Sequence, residues 1–175
     1  MKINSIFILF IPFVLWSYGL PKHLQKKVNK EIINTYNVED FQFNAISFSK
    51  NITASLPAKF GDNNFFEIKV DDTLLGFAYI AKAPSKTDAF DYLVLLDTEL
   101  IIVKTKVLIY REDYGGEIGS KRWLKQFTGK TKNDALLYGD NIVAISGATI
   151  SVRSMTNAMN NLLASLKILH NKNIL

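Results

Sequence analysis

The sequence predicts an α+β fold with a largely antiparallel β-sheet flanked by helices. Three observations carry that expectation. Four short apolar segments between residues 65 and 112 alternate in the period of strands and are joined by tight turn signals, the pattern of a meander. Two longer stretches, one near each end, repeat apolar residues at the helical period. Strands grouped together and helices segregated from them favour an antiparallel sheet over an alternating parallel one.

In chain order, residues 1–19 stand apart. Lys2 precedes an eleven-residue apolar run from Ile6 to Trp16, and Ser17 and Gly19 follow at a small-residue cleavage pattern. This reads as a secretory signal peptide cut after Gly19. The alternative is an uncleaved N-terminal segment that keeps the protein at a membrane, although the run is short for a bilayer span. The expected localisation is therefore exported, periplasmic or otherwise extracytoplasmic. Residues 20–64 are assigned to an N-terminal helix and a connecting segment, and residues 65–175 to the main domain. Leu24, Val28, Ile32 and Tyr36 share one helical face, opposite Lys26, Lys27 and Lys30. "FQFNAIS" alternates as a strand, and "SKNITASLPAKFGDNN" reads as a connection. "FFEIKV" and "LLGFAYIAKA" form a hairpin about Asp71-Asp72-Thr73, and "FDYLVLLD" with "LIIVKTKVLIYRE" forms a second pair. In the last strand Val103, Thr105, Val107 and Ile109 are expected on one face, with Ile102, Lys104, Lys106, Leu108 and Tyr110 on the other. Gly115, Gly116 and Gly119 then break the sheet. Ser120 is placed to cap a short helix carrying Trp123, Leu124 and Phe127. "NIVAIS" (141–146) reads as a short strand. From about Thr149 a helical stripe runs through Val152, Met155, Met159, Leu162, Leu163, Leu166 and Leu169.

With 175 residues, 48% hydrophobic and 21% charged, the chain suits one domain with a real core. The net charge of +5 is mild and its lysines are scattered in three clusters, so a nucleic-acid interface is not expected. The chain has no cysteine, which excludes disulfides, thiolate metal sites and a cysteine nucleophile. His23 and His170 lie on opposite terminal helices and read as surface side chains.

The segment "SGATISVRSMT", Ser146–Thr156, concentrates hydroxyls at the mouth of the last helix. A helix start offers unpaired N–H groups and the positive end of its dipole, both suited to a phosphate. Gly147 and Ala148 keep the approach open, while Ser146, Thr149 and Ser151 add hydroxyls. Simple capping needs only one of them and is the bland reading of the same residues.

At this motif the chain resembles the FMN-binding domain found in the C subunit of sodium-pumping NADH:quinone reductase and the G subunit of the Rnf complex. That family carries Ser/Asp-Gly-Ala-Thr/Ser-x-Thr/Ser, matched here by Ser146-Gly147-Ala148-Thr149-Ile150-Ser151. "GFAYIAKA" and "FDYLVLLDTELIIVKTKVLIYRED" look like the family's paired strands, "EDYGGEIG" followed by Trp123 and Phe127 is similar to its Glu-x-x-Gly loop and aromatic helix, and "DNIVAISGAT" resembles its approach to the motif, so the resemblance covers about residues 65–165. It implies FMN esterified through its phosphate to the last hydroxyl, Ser151, as a phosphodiester. Threonine is the usual acceptor, so serine departs from the pattern. Glu112, Tyr114 and Glu117 are then candidates to line the ring or ribityl chain, with Gly115 and Gly116 offering backbone amides and Trp123 and Leu93 as walls. The competing readings are a core role for Trp123 and solvated carboxylates for Glu112 and Glu117.

No acid–base pair or metal cluster is placed to activate Ser151. The resemblance implies maturation by a separate FMN transferase of the ApbE type, with Arg153 a candidate docking residue. The expected function is an extracytoplasmic electron-transfer flavoprotein serving membrane or periplasmic redox partners, without substrate turnover of its own. The alternative is a cofactor-free binding module with a degenerate FMN-binding fold. A third reading is a flavin-dependent reductase with its own small substrate. The chain carries no dinucleotide fingerprint, which disfavours direct oxidation of NADH.

Overall fold

The structure is a computed structural model and describes residues 20–61 and 63–175. The expected signal peptide, residues 1–19, lies outside the described residues. Among the described residues no helix is long and apolar enough to cross a membrane.

A five-stranded antiparallel meander organises the domain, in the order β1 (Gln42–Ala45), β2 (Phe65–Val70), β3 (Thr73–Pro84), β4 (Ala89–Leu96), β5 (Ile102–Ile109). The β2–β3 hairpin turns on Asp71 and Asp72 at φ +47° and +64°, with Val70 opposite Thr73. Two consecutive positive φ values are what a tight two-residue hairpin loop needs to match strand twist.

Helices cover both faces of the sheet. On one face lies α1 (Lys22–Tyr36), whose Leu24, Val28 and Ile32 pack on Phe66, Ile68, Ile80, Leu93 and Leu95. Lys27 donates to the Leu108 carbonyl and Tyr36 to that of Leu96, tying the helix to β5 and to the end of β4. On the other face lies α4 (Thr149–Asn171), whose Val152, Met155, Met159, Leu162, Leu163, Leu166 and Leu169 join Phe65, Tyr79, Tyr92 and Val94. Burying each such side chain contributes roughly 1.5–3 kcal/mol. Two short helices complete the fold: α2 (Lys50–Thr53), within the stretch read as a connection, and α3 (Lys121–Leu124). The Ser120 hydroxyl accepts from the Trp123 amide, the cap expected of α3.

Two expectations are corrected. Residues 141–146 form no strand: Tyr138 and Ile142 make only an isolated bridge, because side-chain amides hold this segment as a loop. Asn141 accepts from the Leu137 amide, and Gln126 from that of Val143. The strict alternation expected along β5 also fails. Register shifts against β4 at Leu95/Leu96 and Asp91/Tyr92 turn Ile102 and Val107 toward α4, and Val103, Leu108 and Ile109 toward α1. β1 is hydrogen-bonded to β2 across residue 64, and α1 builds one of the two cores. Residues 20–64 are thus part of the same folded body as residues 65–175.

Candidate functional site

The site forms where the end of β5 meets the start of α4. Ile145 to Ala148 make a turn closed by the Ala148 amide on the Ile145 carbonyl, with Gly147 at φ +78°. That φ suits glycine at the third place of a type II turn. The turn delivers Ala148 to the N-cap position and Thr149, Ile150 and Ser151 to the first turn of α4.

None of the hydroxyls caps the helix. Ala148 has no side chain able to do so, and the amides of Thr149, Ile150 and Ser151 have no partner among the described residues. Such a cap is ordinarily worth about 1 kcal/mol. A helix start with three hydroxyl residues around it and its amides left free is arranged for an outside acceptor, and a phosphate is the usual one.

These residues line an open cleft of about 380 Å³, together with Lys86, Tyr110, Glu112 and Tyr114. Its size falls in the roughly 300–1,000 Å³ range of small-molecule sites. Ser151 is buried, 3% exposed, and its Oγ lies 3.0 Å from the Tyr110 hydroxyl. The Tyr110 ring packs on Phe90 with centroids 5.9 Å apart. Gly115 adopts φ +77° against the back of the turn, where a Cβ would stand 2.6 Å from Ala148 Cβ. Tyr114 is 82% exposed and Ile150 50%, so both present apolar surface at the rim.

Glu112 sits at the edge of the cleft but is committed to its neighbours. Its carboxylate accepts from the Thr87 amide at 2.7 Å, the Thr87 hydroxyl at 2.8 Å and the Asp88 amide at 3.2 Å. The nearby Ser85 hydroxyl, the Thr87 amide and hydroxyl, and the Asp88 amide hold its carboxyl down to about 2. The buried Ser85 hydroxyl makes no hydrogen bond among the described residues, so the Thr87 and Asp88 groups are the ones that hold the carboxylate. Glu112 therefore clamps the 85–88 turn, and with it holds Lys86 at the cleft.

The remaining sequence-predicted residues lie elsewhere. Leu93 is fully buried on the α1 face, the opposite side of the sheet from Ser151, and cannot wall this cleft. Trp123 is buried in the α4-side core, edge-on to Phe127 at 5.3 Å, and its Nε1 donates to the Val143 carbonyl at 2.8 Å. It anchors the loop that leads to Ser146 instead of facing a ligand. Gly116 and Glu117 are exposed in the turn Gly116–Gly119, outside the cleft lining. Ser146 is exposed just ahead of it. Arg153 stacks over the Tyr138 ring, 4.7 Å from its centroid. Lys86 and Tyr110 are the site residues that sequence reasoning missed. Tyr110 directly follows β5, just before the glycine loop, a position that could have marked it; Lys86, in an ordinary turn, carries no such signal.

The residues present fit a phosphate-bearing ligand: three free amides, one ammonium group, small residues at the approach and a hydroxyl at the end. Comparison with known proteins agrees. Residues 86–164 match the family model of the FMN-binding domain. The chain is similar in structure to Shewanella oneidensis NqrC, with a TM-score of 0.50 and 20% identity, over 74% of this chain and 68% of that one. At that identity the likeness is one of fold. No match was found among curated proteins.

Proposed function

From an FMN-binding domain over residues 86–164, set in an NqrC-like α+β fold, we propose an extracytoplasmic electron carrier with FMN esterified to Ser151. The observation that carries this reading is the uncapped start of α4, where Thr149, Ile150 and Ser151 leave their amides free beside Lys86.

Bound FMN supplies a ring that takes up and returns one or two electrons. The protein's own residues do the rest. The free amides and the helix dipole stabilise the phosphate charge, and Lys86 adds a full positive charge. Gly147 and Ala148 leave room for the phosphate to approach. Tyr110 orients Ser151 Oγ before attachment; once Ser151 is esterified it has no proton to give, and only Tyr110 can donate. Tyr114 and Ile150 offer apolar contact at the rim. Attachment through the phosphate leaves the ring unmodified and prevents loss of the cofactor after export. Maturation falls to a separate transferase of the ApbE type, and electrons pass to membrane or periplasmic redox partners.

One observation favours the rival reading of a cofactor-free binding module. Ser151 is almost fully buried and its hydroxyl is already engaged by Tyr110. The test is intact mass with peptide mapping, on protein exported from a host carrying an active FMN transferase. The expected result is one FMN less one water on the peptide containing Ser151, lost in Ser151→Ala. Unmodified, colourless protein beside a flavinylated control overturns the carrier reading in favour of the binding module. Modification of Thr149 instead overturns the assignment of Ser151.

A further inference from the structure

A second concave space shares no residue with the Ser151 cleft. Between α1, β5 and α3 is a cavity of about 180 Å³, with Glu31, Lys104, Thr105, Lys106, Lys121 and Lys125 in its walls. We propose that it binds a small oxyanion of the phosphate class.

Charge is the first argument. Four lysines and one glutamate line it, a surplus of three positive charges around a small volume. Glu31, its side chain 14% exposed, is shared between Lys104 at 3.4 Å and Lys106 at 3.6 Å. Lys121 and Lys125 are exposed and make no ion pair among the described residues. Like charges gathered this closely repel, and a bound anion relieves that repulsion. Lysine is well suited to the task, as a point charge that meets phosphate oxygens.

The second argument is independent of charge. Thr105 is 4% exposed, and its Oγ1 is buried with no hydrogen-bond partner among the described residues. An unpartnered buried hydroxyl is unfavourable and calls for a partner. Thr105 belongs to the wall of this same cavity, and rotation of its side chain would present the hydroxyl to an oxyanion held by the lysines. A flat docking face for an acidic protein would not account for that hydroxyl, whereas a small concave site does.

The test is calorimetric titration of inorganic pyrophosphate at low ionic strength. Repeating it with Lys86→Gln identifies any contribution of the Ser151 cleft, which weakens in that variant while the second site does not. Saturable binding is expected, weakened about tenfold or more by Lys121→Gln with Lys125→Gln, the effect of losing charge-assisted hydrogen bonds. Thr105→Val also weakens binding while the unliganded protein melts at an unchanged or higher temperature. A purely structural role could not produce that split. Glu31→Gln tightens binding. Sedimentation with phosphatidylglycerol vesicles separates the sources: binding displaced by pyrophosphate assigns a lipid headgroup, and no vesicle binding assigns a free anion. The proposal is overturned if no saturable binding occurs, or if the double lysine variant binds as tightly as the parent. It is also overturned if a polyglutamate peptide binds the patch and pyrophosphate does not displace it.

Discussion

Replacing three glycines by alanine, one at a time, separates the two forces that shape the Ser151 cleft. Gly116 has an ordinary φ and open space where a Cβ would go, so Gly116→Ala should be neutral or stabilise by up to about 1 kcal/mol. Gly147 also has open space but sits at φ +78°, so Gly147→Ala meets only backbone strain, about 1–2 kcal/mol. Gly115 has both problems. Its φ is +77°, and an added Cβ stands 2.6 Å from Ala148 Cβ, 3.2 Å from Ala148 Cα and 3.2 Å from the Tyr110 hydroxyl. Ala148 belongs to the backbone turn and cannot rotate away, so overpacking of about 1–3 kcal/mol adds to the strain. Gly115→Ala should therefore cost about 2–5 kcal/mol and lower Tm on the order of 5–15 °C. Urea unfolding followed by far-UV circular dichroism reads all three variants. If Gly115→Ala is no more destabilising than Gly147→Ala, the close contact behind the helix start is absent and the description of the cleft fails.

Leu93→Ala should cost about 2–5 kcal/mol by opening a cavity under α1, yet leave flavin content per folded molecule unchanged, as absorbance against protein concentration would show. Tyr110→Phe removes the partner of Ser151 Oγ; we expect a loss of about 1 kcal/mol in urea unfolding and a smaller flavinylated fraction by mass after a fixed reaction time. Glu112 has a folded-state pKa of about 2 against an ordinary 4.5, a depression that favours the ionised, folded form. Its contribution is thus full above about pH 4.5 and lost as pH falls toward about 2. Tm measured against pH should show wild type above Glu112→Gln at neutral pH and the two converging across that window; a constant gap would disprove the clamp.

The helices were legible because their stripes are one-sided: Leu24, Val28 and Ile32 in α1, and Val152 to Leu169 in α4, face the sheet and little else. The hydroxyl motif was legible because its small residues and hydroxyls are contiguous. Leu93 was not, for a physical reason. Every residue of β4 from Phe90 to Leu96 is buried, so burial gives no sign of which face a side chain occupies. Trp123 failed differently, since an aromatic near a glycine loop packs equally well into a core or around a ligand. Lys86 and Tyr110 come to Ser151 only through the β3–β4 turn and the end of β5, contacts that span many residues and leave no local pattern.

The family match starts at residue 86, but the sheet does not. β4 lies between β3 and β5, paired with β3 from Phe77–Leu96 to Pro84–Ala89. A fragment cut at residue 86 would strip that partner away and bare the backbone of "AFDYLVLL", an almost wholly apolar strand. An open strand of that kind recruits other chains. The matched region would therefore aggregate when expressed alone, and the smallest soluble unit carrying Ser151 must reach back to α1.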